Sequence, residues 1–162
     1  TGPAGLTALG GGGYSLVLDS ATGDGLVTPS ASFATSGAGC PSPVGLSVLS
    51  APQLPVLGAT LEVEMSNVSP TGLPLMVIGL TTIAPSPIIA LGLTTDPTCL
   101  LTVSPDVVVG PLVPVGSSAS VLLPLPANPA LAGQQLFFQG AQLELSTGEW
   151  NLADQGTATL GF

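Results

Sequence analysis

Glycine and proline interrupt this chain so often that they decide its fold class. The 162 residues include 22 Gly and 17 Pro, which recur every few positions. Proline removes a backbone donor and glycine is unfavourable inside helices, so helices of ordinary length do not fit between the interruptions. Strands of about five or six residues do fit. The spacing therefore predicts an all-β protein.

The apolar runs between these interruptions are strand-like and recur at intervals of roughly 8–12 residues. In the clearest run, Leu61, Val63 and Met65 alternate with polar residues, which predicts one face towards a core and one towards solvent. A single helical turn is predicted at 128–133, where Asn is a suitable N-cap and Pro suits the first turn. The pattern predicts one antiparallel β-sandwich domain, Ig-like or jelly-roll-like, over residues 14–162. Its other strand-like runs are 14–20, 26–36, 44–50, 74–81, 87–93, 99–104, 107–110, 118–125, 135–145 and 157–162.

The two cysteines, Cys40 and Cys99, predict one disulfide, with two free buried thiols as the alternative. Closing a loop of about 60 residues would stabilise the fold by roughly 4 kcal/mol in the chain-entropy model. A disulfide indicates an oxidising compartment, and the small polar start at Thr1 resembles a mature N-terminus after cleavage. We therefore expect a secreted protein, extracellular or at the cell surface. No metal site or other cofactor is predicted, because the sequence has no CxxC pair and no histidine.

The first 13 residues read as a flexible apolar arm that ends in a hinge of four glycines, Gly10–Gly13. The alternative is a disordered terminus without a role. As an assembly arm, the segment would continue into the first strand and pair with a neighbouring subunit. The residues assigned to this arm are Leu6, Leu9, Tyr14, Leu16 and Leu18.

The absence of cationic side chains excludes several classes of function. The sequence contains no Lys, Arg or His against nine acidic residues, a formal net charge of −9. Nucleic acid binding needs cations that displace phosphate counterions, so it is excluded. Schiff-base lysines, arginine clamps and histidine-based triads are also impossible. No apolar run of about 18 residues is free of interruptions, so no transmembrane helix is expected. The sequence predicts that this protein is not an enzyme.

Carboxylates are the remaining acid–base groups, and two pairs of them have two interpretations. Glu62 and Glu64 lie two residues apart on a predicted strand and could form a hydrolase dyad. The alternative, a solvated outer face, is the interpretation we favour. Asp19 and Asp24 could be half of a calcium loop, but they lack EF-hand spacing. A tight turn at Asp24-Gly25 is favoured instead.

Aromatic residues are few, at 4% of the chain, and three of them are candidate contact residues. Trp150, with Glu144 and Glu149 nearby, could line a sugar-binding surface; a single Trp at the core or rim is the favoured alternative. Phe137 and Phe138 are adjacent on a predicted strand, so one should face the core and the other should face outward. The outward one would be covered by a neighbouring subunit or by the arm.

Residues 39–162 resemble a repeat-like domain of secreted proteins from planctomycetes and related environmental bacteria. The resemblance implies secretion, a Cys40–Cys99 pair and a β-sandwich, and it implies no catalytic or binding residue. The family usually occurs attached to larger extracellular proteins, whereas here residues 1–38 precede the similar region. The matching pieces are Gly39-Cys40, Leu54–Gly58, Met76–Leu80, Cys99–Leu101 and, most specifically, Leu123–Gln139.

A surface with so few charges must consist mainly of Ser, Thr, Gly, Pro, Gln and apolar side chains, which favours repeated subunit contacts. The leading hypothesis is a structural subunit of an extracellular filament or surface layer. It would assemble with copies of itself by β-strand addition and apolar contacts. The alternative hypothesis is a monomeric secreted adhesive or carbohydrate-binding module with glycans as partners. A carboxylate-only hydrolase is a distant third.

Overall fold

The computed structural model describes residues 14–18 and 25–162, and its regular structure is almost entirely β-strand. Every ladder between the strands is antiparallel, which confirms the predicted all-β class. In these two ranges no helix is long and apolar enough to cross a bilayer. The strands are β1 Tyr14–Leu18, β2 Gly25–Pro29, β3 Ser32–Ser36, β4 Pro41–Ser42, β5 Gly45–Leu46, β6 Val48–Ser50, β7 Thr60–Ser66, β8 Gly72–Gly79, β9 Thr82–Pro87, β10 Leu100–Val103, β11 Val107–Val109, β12 Ala119–Pro124, β13 Gln135–Glu144 and β14 Glu149–Thr159.

Two sheets of unequal width form the body of the molecule. The wide sheet has five strands in the order β11-β8-β13-β14-β3, and the narrow sheet has three in the order β12-β7-β6. The strands β4–β5, β9–β10 and β1–β2 form three separate two-stranded hairpins. The width difference of two strands matters, because part of the wide sheet then has no opposing strand.

The larger apolar cluster, called the first cluster, lies between these two sheets. On β7 the side chains of Leu61, Val63 and Met65 are fully buried, as their alternation predicted. Phe138 of β13 is also fully buried and packs from the wide sheet. Beside it Gly140 allows close approach, since a Cβ there would overlap Met65 Sδ. The other members are Leu49, Leu57, Val68, Met76, Ile78, Ala119, Val121, Leu125, Ala153, Ala158 and Leu160.

A smaller second cluster covers the opposite face of the wide sheet and adds a third layer. It is formed where the β9–β10 hairpin and the disulfide pack on β8, β13 and β14. Gln139 of β13 joins the layers, because its Nε2 donates to Leu100 O at 2.9 Å and its Oε1 accepts from Thr102 N at 2.9 Å. With both faces covered, β13 is buried continuously from Phe138 to Gln142. The cluster members are Cys40, Val77, Ile88, Cys99, Val103, Ala141 and Leu152.

Most strand predictions are confirmed, and two are wrong. The predicted strand 87–93 is instead a 3₁₀ helix at Ile88–Leu91, which ends at Gly92 with a left-handed φ of 70°. The predicted strand at 157–162 in fact begins at Glu149, because the sheet supplies partners for polar residues that looked unsuited to a core. The helical turn at 128–133 is confirmed as a 3₁₀ helix at Pro129–Leu131, with Asn128 accepting from Ala130 N. The predicted arm, residues 1–13, lies outside the described residues.

Candidate assembly groove

An open apolar groove lies along one edge of the sandwich, where the narrow sheet ends before the wide sheet does. It has a volume of about 580 Å³. The wide sheet contributes β8 and the edge strand β11, and the narrow sheet contributes its edge strand β12. Residues 125–136, which lead from β12 into β13, close one end. The lining includes Leu80, Val107, Leu122, Leu131, Gln134 and Leu160.

The groove follows from the pairing of its two edge strands. Within the described residues β12 pairs with β7 alone, and β11 pairs with β8 alone. Each therefore has one edge without a strand partner, and these edges flank the groove. In an antiparallel strand, every second residue directs its backbone N–H and C=O to a given edge. The six residues of β12 thus present a short row of backbone donors and acceptors beside an apolar trough.

The lining is apolar, and its large exposed side chains stand beside buried members of the first cluster such as Val121 and Leu160. The exposed fractions are 68% for Leu80, 64% for Leu122 and 53% for Val107. Of the described residues that line the groove, only Gln134 and Gln135 are polar, and none is charged. Contiguous exposed apolar surface of this kind marks an interaction site more often than a free surface. The groove can accept an extended apolar segment.

The other sheet edges differ from β12 in ways that discourage pairing. Strand β9 carries Pro85 and Pro87, which cannot donate to a ladder. Strands β6 and β11 are three residues long, and β3 is mostly Ser, Thr and Ala. Proteins often protect edges with lysine, which this chain does not contain. Among the edges of the two main sheets, β12 is the longest, and its one proline, Pro124, stands at its end.

The predicted disulfide is confirmed, and it lies on the other side of the wide sheet from the groove. Cys40 and Cys99 are bonded, with their Cα atoms 4.8 Å apart. Both are almost fully buried, at 1% and 0% exposure. The backbone of Cys40 is held to β14, since its N–H donates to Leu152 O at 2.8 Å. The disulfide therefore fixes the third layer and takes no part in the groove.

The residues assigned to the assembly arm are only partly within the described ranges. Leu6 and Leu9 lie outside them. Tyr14, Leu16 and Leu18 belong to β1, which pairs within the chain to β2, with Tyr14 opposite Pro29. A hairpin strand can still pair along its second edge. The internal pairing to β2 uses one edge of β1.

The aromatic residues predicted as surface contacts are mostly internal. Phe138 is fully buried in the first cluster, so its assignment as a surface contact is wrong. Phe137 points the other way and is half-buried against the second cluster, because the third layer covers it. Trp150 is half-buried beside the same cluster, which fits the favoured core-or-rim interpretation. A covered sheet face was not visible in the sequence, since the covering hairpin is distant along the chain.

The candidate carboxylates separate into exposed and buried groups. Glu62 and Glu64 lie half-buried on the outer face of β7, beside Val113 and Val115. Glu149 accepts from the Thr95 hydroxyl at 2.6 Å. Asp19 and Asp24 lie outside the described residues. In the described part of the chain no three acidic or cysteine side chains group closely enough to hold a metal ion.

Among the candidate carboxylates, the burial of Glu144 is unexpected. Its side chain is 1% exposed, and the sequence contains no cationic side chain that could pair with it. Its Oε1 accepts from the Thr71 hydroxyl and from the Ser146 hydroxyl, the latter at 2.8 Å. The hydroxyl of Ser69, then that of Thr71, lowers the pKa of Glu144 from its ordinary 4.5 to about 2, with Ser146 adding to the effect against desolvation. The carboxylate is thus held ionised by hydroxyl donors in place of a cation.

Two polar atoms at this site have no protein partner. They are Oε2 of Glu144 and Nε2 of Gln142, two residues earlier on the same face of β13. Gln142 Oε1 accepts from Ser69 N at 2.9 Å. One unpaired acceptor and one unpaired donor on the same strand face are suited to bridging by buried water. We name this group, Ser69, Thr71, Gln142, Glu144 and Ser146, the polar lock, because it ties the β7–β8 connection to the end of β13.

A second buried carboxylate joins the two sheets elsewhere. Asp154 of β14 is 9% exposed, and its Oδ1 accepts from Leu49 N of β6 at 2.7 Å. Burial raises the pKa of Asp154, while the Leu49 bond opposes that change. Both buried carboxylates serve as acceptors for loop and edge groups. Neither lies in the groove.

Comparisons of the chain with models of known families, with characterised proteins and with solved structures find no match. The resemblance of residues 39–162 to the planctomycete domain therefore stays a prediction.

Proposed function

We propose that this chain is a structural subunit of an extracellular filament or surface layer, assembled by β-strand addition and apolar contacts. The observation that supports this most strongly is the groove between β11 and β12. It combines a free strand edge with an apolar trough, the two features that a strand-addition acceptor needs. Backbone pairing would give affinity, and alternate side chains would fill the trough.

The composition favours an assembled protein over a monomer. A protein surface that keeps monomers apart normally carries about a quarter to a third charged residues of both signs, whereas this chain has 6% charged residues, all acidic. Long-range repulsion from a net charge of −9 is modest and is screened within about 10 Å at ordinary ionic strength. Cohesion then depends on strand pairing and apolar fit, because ion pairs between side chains cannot form.

The buried disulfide suits an extracellular role. A cross-link between residues 59 apart limits unfolding of the subunit in an oxidising environment. The lack of Lys and Arg also removes every cleavage point for trypsin-like proteases. Both features favour a long-lived structural protein outside the cell.

Electron microscopy and light scattering of the purified chain test the proposal directly. We expect regular polymers, and a monodisperse 15.7 kDa species over a broad concentration range would overturn it. Leu122→Asp should abolish polymers, since it places a charge in the groove. Leu145→Asp is the matched control, because Leu145 is 63% exposed, compared with 64% for Leu122, and lies outside the groove lining. Equal loss in both variants would remove the groove from the mechanism.

The alternative, a monomeric adhesive or carbohydrate-binding module, predicts glycan binding by the monomer. Sugar sites usually stack a ring on an aromatic side chain, and the groove lining named above contains none. A glycan array probed with the folded chain distinguishes the filament subunit from the glycan-binding monomer. Specific glycan binding by a non-polymerising chain would favour the alternative.

A further inference from the structure

The hairpin end of the molecule, where β2 joins the sandwich, lies next to one end of the groove. Phe162 N donates to Pro29 O at 3.3 Å, and Gly133 lies against Pro29 closely enough that a Cβ would be 3.3 Å from its Cγ. Gly133 N in turn donates to Leu160 O at 2.8 Å, and Leu160 lines the groove. Since Tyr14 is the register partner of Pro29, residues before Tyr14 leave the hairpin at this end.

The segment before Tyr14 has the length and pattern of a filling strand. Four consecutive glycines, Gly10–Gly13, are a sequence suited to a hinge, and residues 1–9 would span roughly 30 Å when extended. Strand β12 needs only about 20 Å for its six residues. Within the segment, Ala4, Leu6 and Ala8 alternate, so one face of an extended strand is apolar. No charged residue interrupts it, which matches a groove lining without charge.

Strand direction decides which copy supplies this segment. Strand β12 runs towards the hairpin end, because Leu125 beyond it bonds Ala59 O and the neighbouring Leu57 bonds Gly161 O. An arm that entered the groove of its own subunit from that end would run in the same direction as β12, forming a parallel pair. Every ladder between the named strands is antiparallel, and parallel pairing is the less stable arrangement per residue. An antiparallel strand must enter from the opposite end, which is where a second copy can reach.

We infer that Ala4–Leu9 of a second copy fills the groove as a strand antiparallel to β12, with Leu6 in the apolar trough. This inference rests on the proposed function and adds to it the donor, the direction and the symmetry. Each subunit then gives its arm to the next, so the contact is head-to-tail. Such a contact leaves a free groove at one end and a free arm at the other, and it propagates as an open polymer when the rotation between subunits does not close a ring.

Paired cysteines in the full chain test the direction. With Leu6 facing the trough, the antiparallel strand places Gly5 near Pro124 and Leu9 near Ser120 on the outer face of β12, whereas a parallel strand reverses these pairs. Chains carrying Leu9→Cys are mixed with chains carrying Ser120→Cys and treated with a short bis-maleimide. We expect a product of twice 15.7 kDa. The mixture of Gly5→Cys and Pro124→Cys chains should give the same product, and the exchanged combinations should give little. The native disulfide does not interfere, since both its cysteines are buried.

The outcomes separate this inference from the proposed function. Polymers that form without any arm-to-β12 cross-link would overturn the inference and leave the proposed function standing. A chain carrying both Leu9→Cys and Ser120→Cys that cross-links only within itself would overturn the second copy as donor. Dominant cross-links in the exchanged pairs would overturn the antiparallel direction. Absence of polymers together with absence of cross-links would overturn both. A Leu145→Cys partner serves as the background control.

Discussion

The two faces of the wide sheet are completed in different ways. On one face, a small second cluster of seven buried residues is covered by the β9–β10 hairpin and fixed by the Cys40–Cys99 bond. On the other, fifteen buried residues form the first cluster, which is closed at one end by the polar lock and open along the β11–β12 edge. The small cluster has the covalent cross-link, and the large one has the exposed margin.

The part of the molecule that the disulfide stabilises therefore lies apart from the open edge that we propose to contact a neighbour. The second cluster buries little apolar area, so the cross-link supplements it. The first cluster is large enough to be stable with one edge uncovered. The uncovered edge is then available for a strand that belongs to another molecule. Four predictions break or sharpen the comparison.

Removing the disulfide should give one of the two largest losses of stability. Cys40→Ala with Cys99→Ala should lower the free energy of unfolding by about 4 kcal/mol from chain entropy alone, because the loop closed is long. Urea titration of oxidised and variant chains measures it. A loss below about 1 kcal/mol would show that the third layer is held by packing and that the contrast between clusters is wrong.

Phe138→Ala tests the first cluster and should cost about 3–5 kcal/mol, since the ring is fully buried. Phe137→Ala is the matched control on the neighbouring position of the same strand. Its half-buried ring faces the second cluster, so a smaller loss is expected. Urea midpoints for both variants make the comparison. Equal losses would indicate that the two clusters contribute alike to stability.

Acid should weaken the polar lock at the closed end of the first cluster. The folded-state pKa of Glu144 is lowered from 4.5 to about 2, so its stabilisation is present above pH 4.5 and is lost as the pH falls towards 2. Exposed Asp96 and Asp106 act in the same direction, since Thr98 lowers the pKa of Asp96 and Leu80 N, then Ser104, lowers that of Asp106. Asp154, whose pKa is raised, acts in the opposite direction.

Glu144→Gln should therefore reduce the slope of stability between pH 4.5 and about 2, and should cost about 1–3 kcal/mol at neutral pH. Thr71→Val is the partner variant; it keeps the side-chain shape but removes a donor, so the acid transition should move to higher pH. Urea midpoints measured from pH 2 to 7 give both results. An unchanged slope in Glu144→Gln would exclude Glu144 as the cause.

Leu122→Ala should have the smallest effect on the isolated subunit. Its side chain is 64% exposed, so the free energy of unfolding should change by less than about 0.5 kcal/mol. Leu61→Ala, in the core of the neighbouring strand, should cost about 2–5 kcal/mol. Thermal unfolding at a concentration below assembly measures both. A loss for Leu122→Ala comparable to that of Leu61→Ala would mean that the groove is already part of a closed core.

The sequence predicted features that depend on local pattern. The alternation on β7 follows from one covered face and one open face, and the turn at Asn128 follows from a side-chain cap. The cysteine pair needed only a count and a compartment. The first two features depend on residues that are close together in the sequence. The disulfide depends on two cysteines that have only each other as partners.

Features that depend on which strands meet were missed. The strand from Glu149 was not predicted, because Asn151, Asp154 and Gln155 seem unsuited to a sheet until buried partners are supplied. Burial of Glu144 was missed for the same reason, since its donor Thr71 lies on a connection far away in the chain. The groove follows from unequal sheet widths. No periodicity records the number of strands in a sheet, so the sequence offered no signal for it.

The place of β14 in the wide sheet has a consequence for how the chain folds. This strand lies between β13 and β3, and Phe33 near the start of the sheet pairs with Ala158 near its end. A ribosome releases these two residues many seconds apart, at about 5–20 residues per second. Strand β3 has no partner in the wide sheet until β14 emerges from the ribosome. Completion of the sheet therefore follows synthesis and is slow, as for other non-local topologies. The wide sheet is thus expected to stay incomplete until β14 has left the ribosome.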